Sequence, residues 1–205
     1  MSTLLKVNSE VPVCNKKAVT LTVDKQDIII NADLNEETCF NVLTDLNCLE
    51  EKYKNGEIKE SINVIINSSS GNLRSALSIA LAFNCSCLDF QTIIDGYASG
   101  TSFLVFLAGK DRLMTVGSEI QLYDNGFFDN DIITYDKFES TIGSIENYVL
   151  LMKMYIANKT KMNYEEIERL MNDKHSTIGY NKALEKEIIT GELIKLDKSN
   201  CYIRG

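Results

Sequence analysis

The chain is nearly free of proline. Pro12 is the single one in 205 residues, which excludes proline-rich linkers. Histidine is equally scarce, with His175 alone. Six cysteines are present, Cys14, Cys39, Cys48, Cys85, Cys87 and Cys201, and none forms a C-x-x-C pair. With one histidine and that spacing, no zinc site of the usual kind is expected, and no other metal or cofactor. Cys85 and Cys87 are too close to act as a staple, so the thiols read as reduced, as in a cytosolic protein.

Basic residues are also in deficit: 21 against 29 acidic ones, a net charge of −8. An acidic chain repels phosphate, so nucleic acid is not an expected partner. There is no basic run or basic amphipathic helix to meet a membrane surface. The longest apolar run, Phe103 to Ala108, falls far below the ~20 residues of a membrane span. The first ten residues lack the basic region and apolar stretch of a secretory signal. A soluble, cytoplasmic protein is expected.

What is present is an ordinary globular balance, 44% hydrophobic and 24% charged, which rules out disorder and low-complexity scaffolds. A chain of this size folds as one domain, 1–205, and buries roughly 70% of its unfolded surface. Residues 18–23 and 27–30 read as strands. Asp33 and Glu36 form a D-x-x-E capping pattern before a helix that turns Cys39, Leu43, Leu46 and Leu49 inward and ends near Asn55-Gly56. Residues 62–66 read as a buried strand and 67–72 as a turn. A helix over 73–83 follows, with Leu73, Leu77, Ala80 and Leu81 on one face. Residues 90–94 read as a strand, 96–101 as a tight loop, and 102–108 as a helix apolar all round, which must be buried. Two more strands are expected over 113–116 and 120–123. A long helix spans 136–159, with Ile142, Ile145, Val149, Met152 and Ile156 at helical spacing. Asn163 with Glu166 starts a helix through Met171, and a last helix spans 182–190. The alternation of strand and helix predicts an α/β fold with right-handed crossovers.

Two strand–small-loop–helix units stand in succession, 62–83 and 90–108. Loop amides at such junctions can face a developing negative charge, and small residues let backbone approach a ligand. In context, the segments Asp27–Asn35, Ile65–Asn72 (similar to an I-N-S-P-G-G-S turn), Gly96–Gly109 (similar to G-x-A-A-S-M-G-A), Arg112–Tyr123 and Tyr164–Glu168 resemble the proteolytic subunit of the Clp protease, a serine peptidase family of crotonase-like fold. The likeness runs in order from about residue 18 to about residue 196.

The resemblance implies a fold of repeated β-β-α units with a protruding handle helix, here in region 126–160 behind an N-terminal segment 1–17. It implies a homo-oligomer, a ring or double ring, partnered by active Clp subunits or a Clp ATPase, and a polypeptide substrate where the site is active. It also implies a serine, a histidine and an aspartate. At those positions stand Gly100, Tyr123 and Lys174, or Asp173 after a one-residue slip. A phenol of pKa near 10 is a poor base at neutral pH. The family's oxyanion hole maps onto the amides of Gly71 and Thr101, with Ser70 in place of a first glycine. Interspersed Phe138, Tyr148, Met152 and Met154 on the handle suggest either an apolar contact surface or core.

The favoured expectation is a ring-forming subunit without hydrolytic chemistry. The alternative is an active serine peptidase with a shifted nucleophile, Ser99, drawing on His175 and Asp173, or on Lys110 as signal-peptide peptidases use a lysine. Ser102 also lies near the serine position. A third reading is a crotonase-like acyl-thioester enzyme.

Overall fold

The computed structural model describes residues 19–22, 26–58, 61–122, 135–191 and 193–197. The strands are β1 (Val19–Thr22), β2 (Ile28–Ile30), β3 (Ile62–Ser68), β4 (Phe90–Ser99), β5 (Asp111–Met114), β6 (Glu119–Gln121) and β7 (Leu193–Asp197). The helices are α1 (Glu36–Lys54), α2 (Leu73–Cys85), α3 (Thr101–Leu107), α4 (Tyr135–Lys159), α5 (Tyr164–Asn172) and α6 (Tyr180–Glu185). The central sheet runs β2-β3-β4-β5, with β6 also paired to β4, and every pairing is parallel. Parallel neighbours need helical crossovers, and α1, α2 and α3 supply them. The expected α/β architecture is therefore the observed one.

The sheet is apolar because helices cover it. Val64, Ile66, Ile93 and Ile94 are fully buried, as are all seven residues of α3. Each large apolar side chain so buried contributes about 1.5–3 kcal/mol before entropy is counted. Phe83 stacks on Phe90 with ring centroids 4.4 Å apart. A polar ladder fixes the β2–β3 register beyond the strands: Asp27 accepts from Asn63, Asn67 donates to Asn31 at 2.7 Å, and Ser69 donates to Asp33 at 2.5 Å.

Several boundaries differ from the sequence expectation. The cap of α1 is Asn35, whose side chain accepts from Thr38 N at 2.8 Å; Asp33 is occupied by Ser69 instead. The helix does end at Asn55-Gly56, where Gly56 takes φ +76°. Leu81 is 59% exposed, because the inward face of α2 is Leu73, Ala76, Ile79, Ala80 and Phe83. β4 continues through 95–99, where a tight loop was expected. Gly96, at φ +118°, is a jog in the strand at which its neighbour changes from β5 to β6. β5 and β6 are one interrupted strand, joined by a turn in which Ser118 N donates to Thr115 O at 3.1 Å. α6 stops at Glu185, short of the expected 190, and Glu187 then adopts φ +51°. β7, which pairs with β1, was not foreseen at all.

Of the long helix, Met152 and Ile156 are buried against the core, whereas Leu150, Leu151 and Met154 are exposed. Segments 1–17 and 126–134, and the side chains of Phe138, Ile142, Ile145 and Tyr148, lie outside the described residues. Among the described residues no helix is long and apolar enough to cross a membrane.

The candidate site at the carboxyl ends of the strands

In an open parallel sheet, ligand chemistry gathers where strands end and helices begin. Here the carboxyl ends of β3 and β4 meet two turns, 69–72 and 99–101. The first is strapped to Leu34: Leu34 N donates to Ser70 O at 2.9 Å and Asn72 N donates to Leu34 O at 2.5 Å. Those bonds turn Ser70 C=O and Asn72 N–H toward Leu34. Gly71 O meets the Thr101 hydroxyl at 3.2 Å. Only glycine fits at 71. Its φ is +148°, and an added Cβ would stand 2.4 Å from Leu34 N and O. Ser70 shares the strained backbone at φ 145°. Its hydroxyl is 3.4 Å from that of Thr101. The two amides expected to form an anion cradle are thus brought to adjacent turns.

The second turn is a strand-to-helix elbow. Gly100 sits at its apex with φ +50° and ψ −114°, a left-handed conformation that favours glycine. Gly100 N donates to Gln121 O at 2.8 Å, tying the apex to β6. The apex bears no side chain.

The flanking hydroxyls face inward. Ser99 is only 4% exposed. Ser102 is fully buried, and its hydroxyl accepts from Ser99 N at 2.9 Å while lying 2.8 Å from Ser99 O and 3.0 Å from Ser68 O. A hydroxyl has one proton and two lone pairs, so these neighbours engage the proton and one of the lone pairs. Ser102 therefore stitches the end of β3 to the end of β4.

The segment from 173 to 178 folds back onto β6. Ile120 N donates to Ile178 O at 3.0 Å, and Ile178 N returns a bond to Ile120 O at 2.7 Å. Gln121 Nε2 donates to Lys174 O, while Gln121 Oε1 accepts from Tyr97 OH. Asp173 closes its own turn: its carboxylate accepts from His175 N at 3.0 Å, and its carbonyl accepts from Ser176 N at 3.0 Å. The His175 and Lys174 residues are exposed. Tyr123 lies outside the described residues.

Lys110 is removed as a partner for Ser99. Its N–H bonds to Phe90 O, at the first residue of β4, and its ammonium pairs with Asp89 at 2.6 Å. Ser99 ends that ten-residue strand, on the order of 30 Å away. Gln121 carried no sequence signal, since a glutamine in a short strand reads as a solvent-facing residue. No group of three or more metal-ligating side chains occurs among the described residues. Cys39, Cys48, Cys85 and Cys87 are free thiols, with burial raising the pKa of Cys39.

Comparison with known proteins gives this geometry a context. A family model described as Clp protease matches residues 14–190. Among solved structures, ClpP1 from Listeria monocytogenes superposes with a TM-score of 0.66 at 19% identity, over 83% of this chain and 91% of that one. The ClpP protease catalytic domain from Plasmodium falciparum gives 0.67 at 23% identity, over 83% and 85%. A search of curated proteins finds no match.

Proposed function

The chain belongs to the Clp protease family, and on that premise we propose that it is a ring-forming subunit without serine hydrolase chemistry of its own, acting through assembly with further copies, active Clp subunits or a Clp ATPase. The observation that carries the reading is Gly100. It stands at the apex of the elbow, the position to which the sequence resemblance assigns the family's serine, and offers no nucleophile. A strained strand-to-helix turn is the device that presents a nucleophilic hydroxyl in α/β-hydrolases. Here the device is retained and the hydroxyl is not.

The surroundings support the same reading. Ser99 is buried, and the Ser102 hydroxyl is committed to backbone groups. The Asp173 carboxylate accepts an amide of its own turn, although the carboxylate of a triad should orient an imidazole. The retained Gly71–Thr101 cradle fits a site that still accommodates extended polypeptide without cleaving it.

A fluorophosphonate probe followed by peptide mapping tests the chemistry. No adduct is expected on any serine. An adduct on Ser99 that is lost in Ser99→Ala would overturn the proposal. Sedimentation velocity tests the assembly: a species well above the 23.1 kDa monomer is expected, and a monomer throughout the micromolar range would defeat the ring.

A further inference from the structure

Three segments converge on one half-buried residue, two of them on its side chain and one on its backbone. Gln121 is the last residue of β6, and its backbone carbonyl receives the Gly100 amide at the elbow apex. Its side-chain oxygen takes the Tyr97 hydroxyl from β4, and its side-chain nitrogen donates to the Lys174 carbonyl in the segment between α5 and α6. Independent bonds set the register: the two-way Ile120–Ile178 bridge places that segment beside β6.

The chemistry selects the residue type. A primary amide carries donor and acceptor together and can satisfy a hydroxyl and a carbonyl at once. A carboxylate could not donate, and an aliphatic side chain could do neither. An active serine peptidase joins the same three kinds of segment through its serine, histidine and aspartate, whose bonds must rearrange during each turnover. A neutral amide has no proton to relay.

We propose that Gln121 is a positioning residue: with Tyr97 it forms a fixed latch that holds the 173–178 segment to the elbow, taking over the organising role that a working triad would have. The latch deepens the non-hydrolytic reading and rests on it for this interpretation, while its hydrogen bonds stand independently of it. The Ile120–Ile178 bridge and the buried Ile178 hold the far end of the segment, and the latch holds its near end at Lys174. A deletion confined to the latch therefore raises exchange locally and leaves the sheet untouched.

Hydrogen exchange read by mass spectrometry on the assembled full-length chain tests this. In Gln121→Leu, peptides covering 173–178 should exchange about tenfold faster, with β3 and α2 unchanged. In Tyr97→Phe, which removes one oxygen and preserves the ring, the same peptides should accelerate about threefold. Unchanged exchange of 173–178 in either variant, or an equal acceleration across β3 and α2, would overturn the latch. Peptide hydrolysis by the native chain would refute the non-hydrolytic reading and leave the exchange prediction standing. A failed exchange test would leave that reading intact.

Discussion

The two ends of β4 solve the same problem in opposite ways. At its start, where Thr92 pairs with Arg112 of β5, a buried cation gathers backbone carbonyls. Arg112 Nε donates to Ile188 O at 2.7 Å, and Nη2 to Glu187 O at 2.9 Å and Lys159 O at 3.0 Å. Lys159 is the last residue of α4, so the guanidinium also faces the negative end of that helix. Burial pushes the Arg112 pKa below its ordinary value, yet a guanidinium stays charged across the working range. At the far end of β4, small neutral hydroxyls and one amide do the joining. A charge at the first end ties β5 to the end of α4 and to the segment after α6. Hydroxyls at the second end bond to the backbone, with Ser102 on Ser99 and Ser68 and Thr101 on Gly71. The difference teaches that the clamped end is structural and the stitched end is where function is to be sought.

Breaking the clamp should have the largest effect. Arg112→Met leaves several buried carbonyls unpaired and should cost about 3–5 kcal/mol, seen as a fall in the urea midpoint with the m-value unchanged. Arg112→Lys should recover less than half of that loss, since one ammonium cannot span carbonyls so far apart.

At the stitched end, Gly71→Ala forces a Cβ into the Leu34 backbone and should cost about 2–3 kcal/mol. Its exchange signature should be loss of protection at 34 and 72, not at β5. Ser102→Ala removes the bond that Ser99 N makes and should cost about 1–2 kcal/mol. An unchanged midpoint there would erase the contrast between the two ends.

The smallest effect concerns α5 and α6, which flank the 173–178 segment. Glu166 pairs with Lys186 at 2.7 Å and with Lys182 at 3.6 Å. The Lys186 hydrogen bond, with the charge of both lysines, lowers the Glu166 pKa. A carboxyl depressed in the folded state adds stability above its unfolded value, near 4.3, and loses it as pH falls through the folded value. Glu166→Gln should therefore lower Tm by a few degrees or less at pH 7. The gap from the native chain should close on acidification below about pH 4. A gap that persisted unchanged into strong acid would show that the pair contributes by packing instead.

Much of the architecture was legible because its signals are local. Asn163 does cap α5, accepting from Glu166 N at 2.8 Å. The α3 segment, apolar on all sides, is buried on all sides. Errors cluster where distant residues intervene. Gly96 carries a turn signal, but the Thr115–Ser118 turn fills the gap it leaves and β4 runs on, with Gly96 N donating to Ser118 Oγ at 2.8 Å. The helical pattern over 182–190 is cut short where Arg112 collects the carbonyls of Glu187 and Ile188. β7 has no local signal that survives without its partner β1. At the site, Gly71, Gly100 and Thr101 were singled out through the family resemblance, and the structure places all three at the ends of β3 and β4. Gln121 was missed because its value lies wholly in what it touches.

By itself the sequence determined most of the strands and helices around the central sheet and that α3 is interior, since each follows from residue type and near-neighbour spacing. Only the tertiary structure decided that Gly71 O meets the Thr101 hydroxyl, that the Ser102 hydroxyl bonds to backbone, and that Gln121 joins β4, β6 and the 173–178 segment. Those are hydrogen bonds between residues far apart along the chain, and their geometry exists only once the parallel sheet has aligned the strand ends.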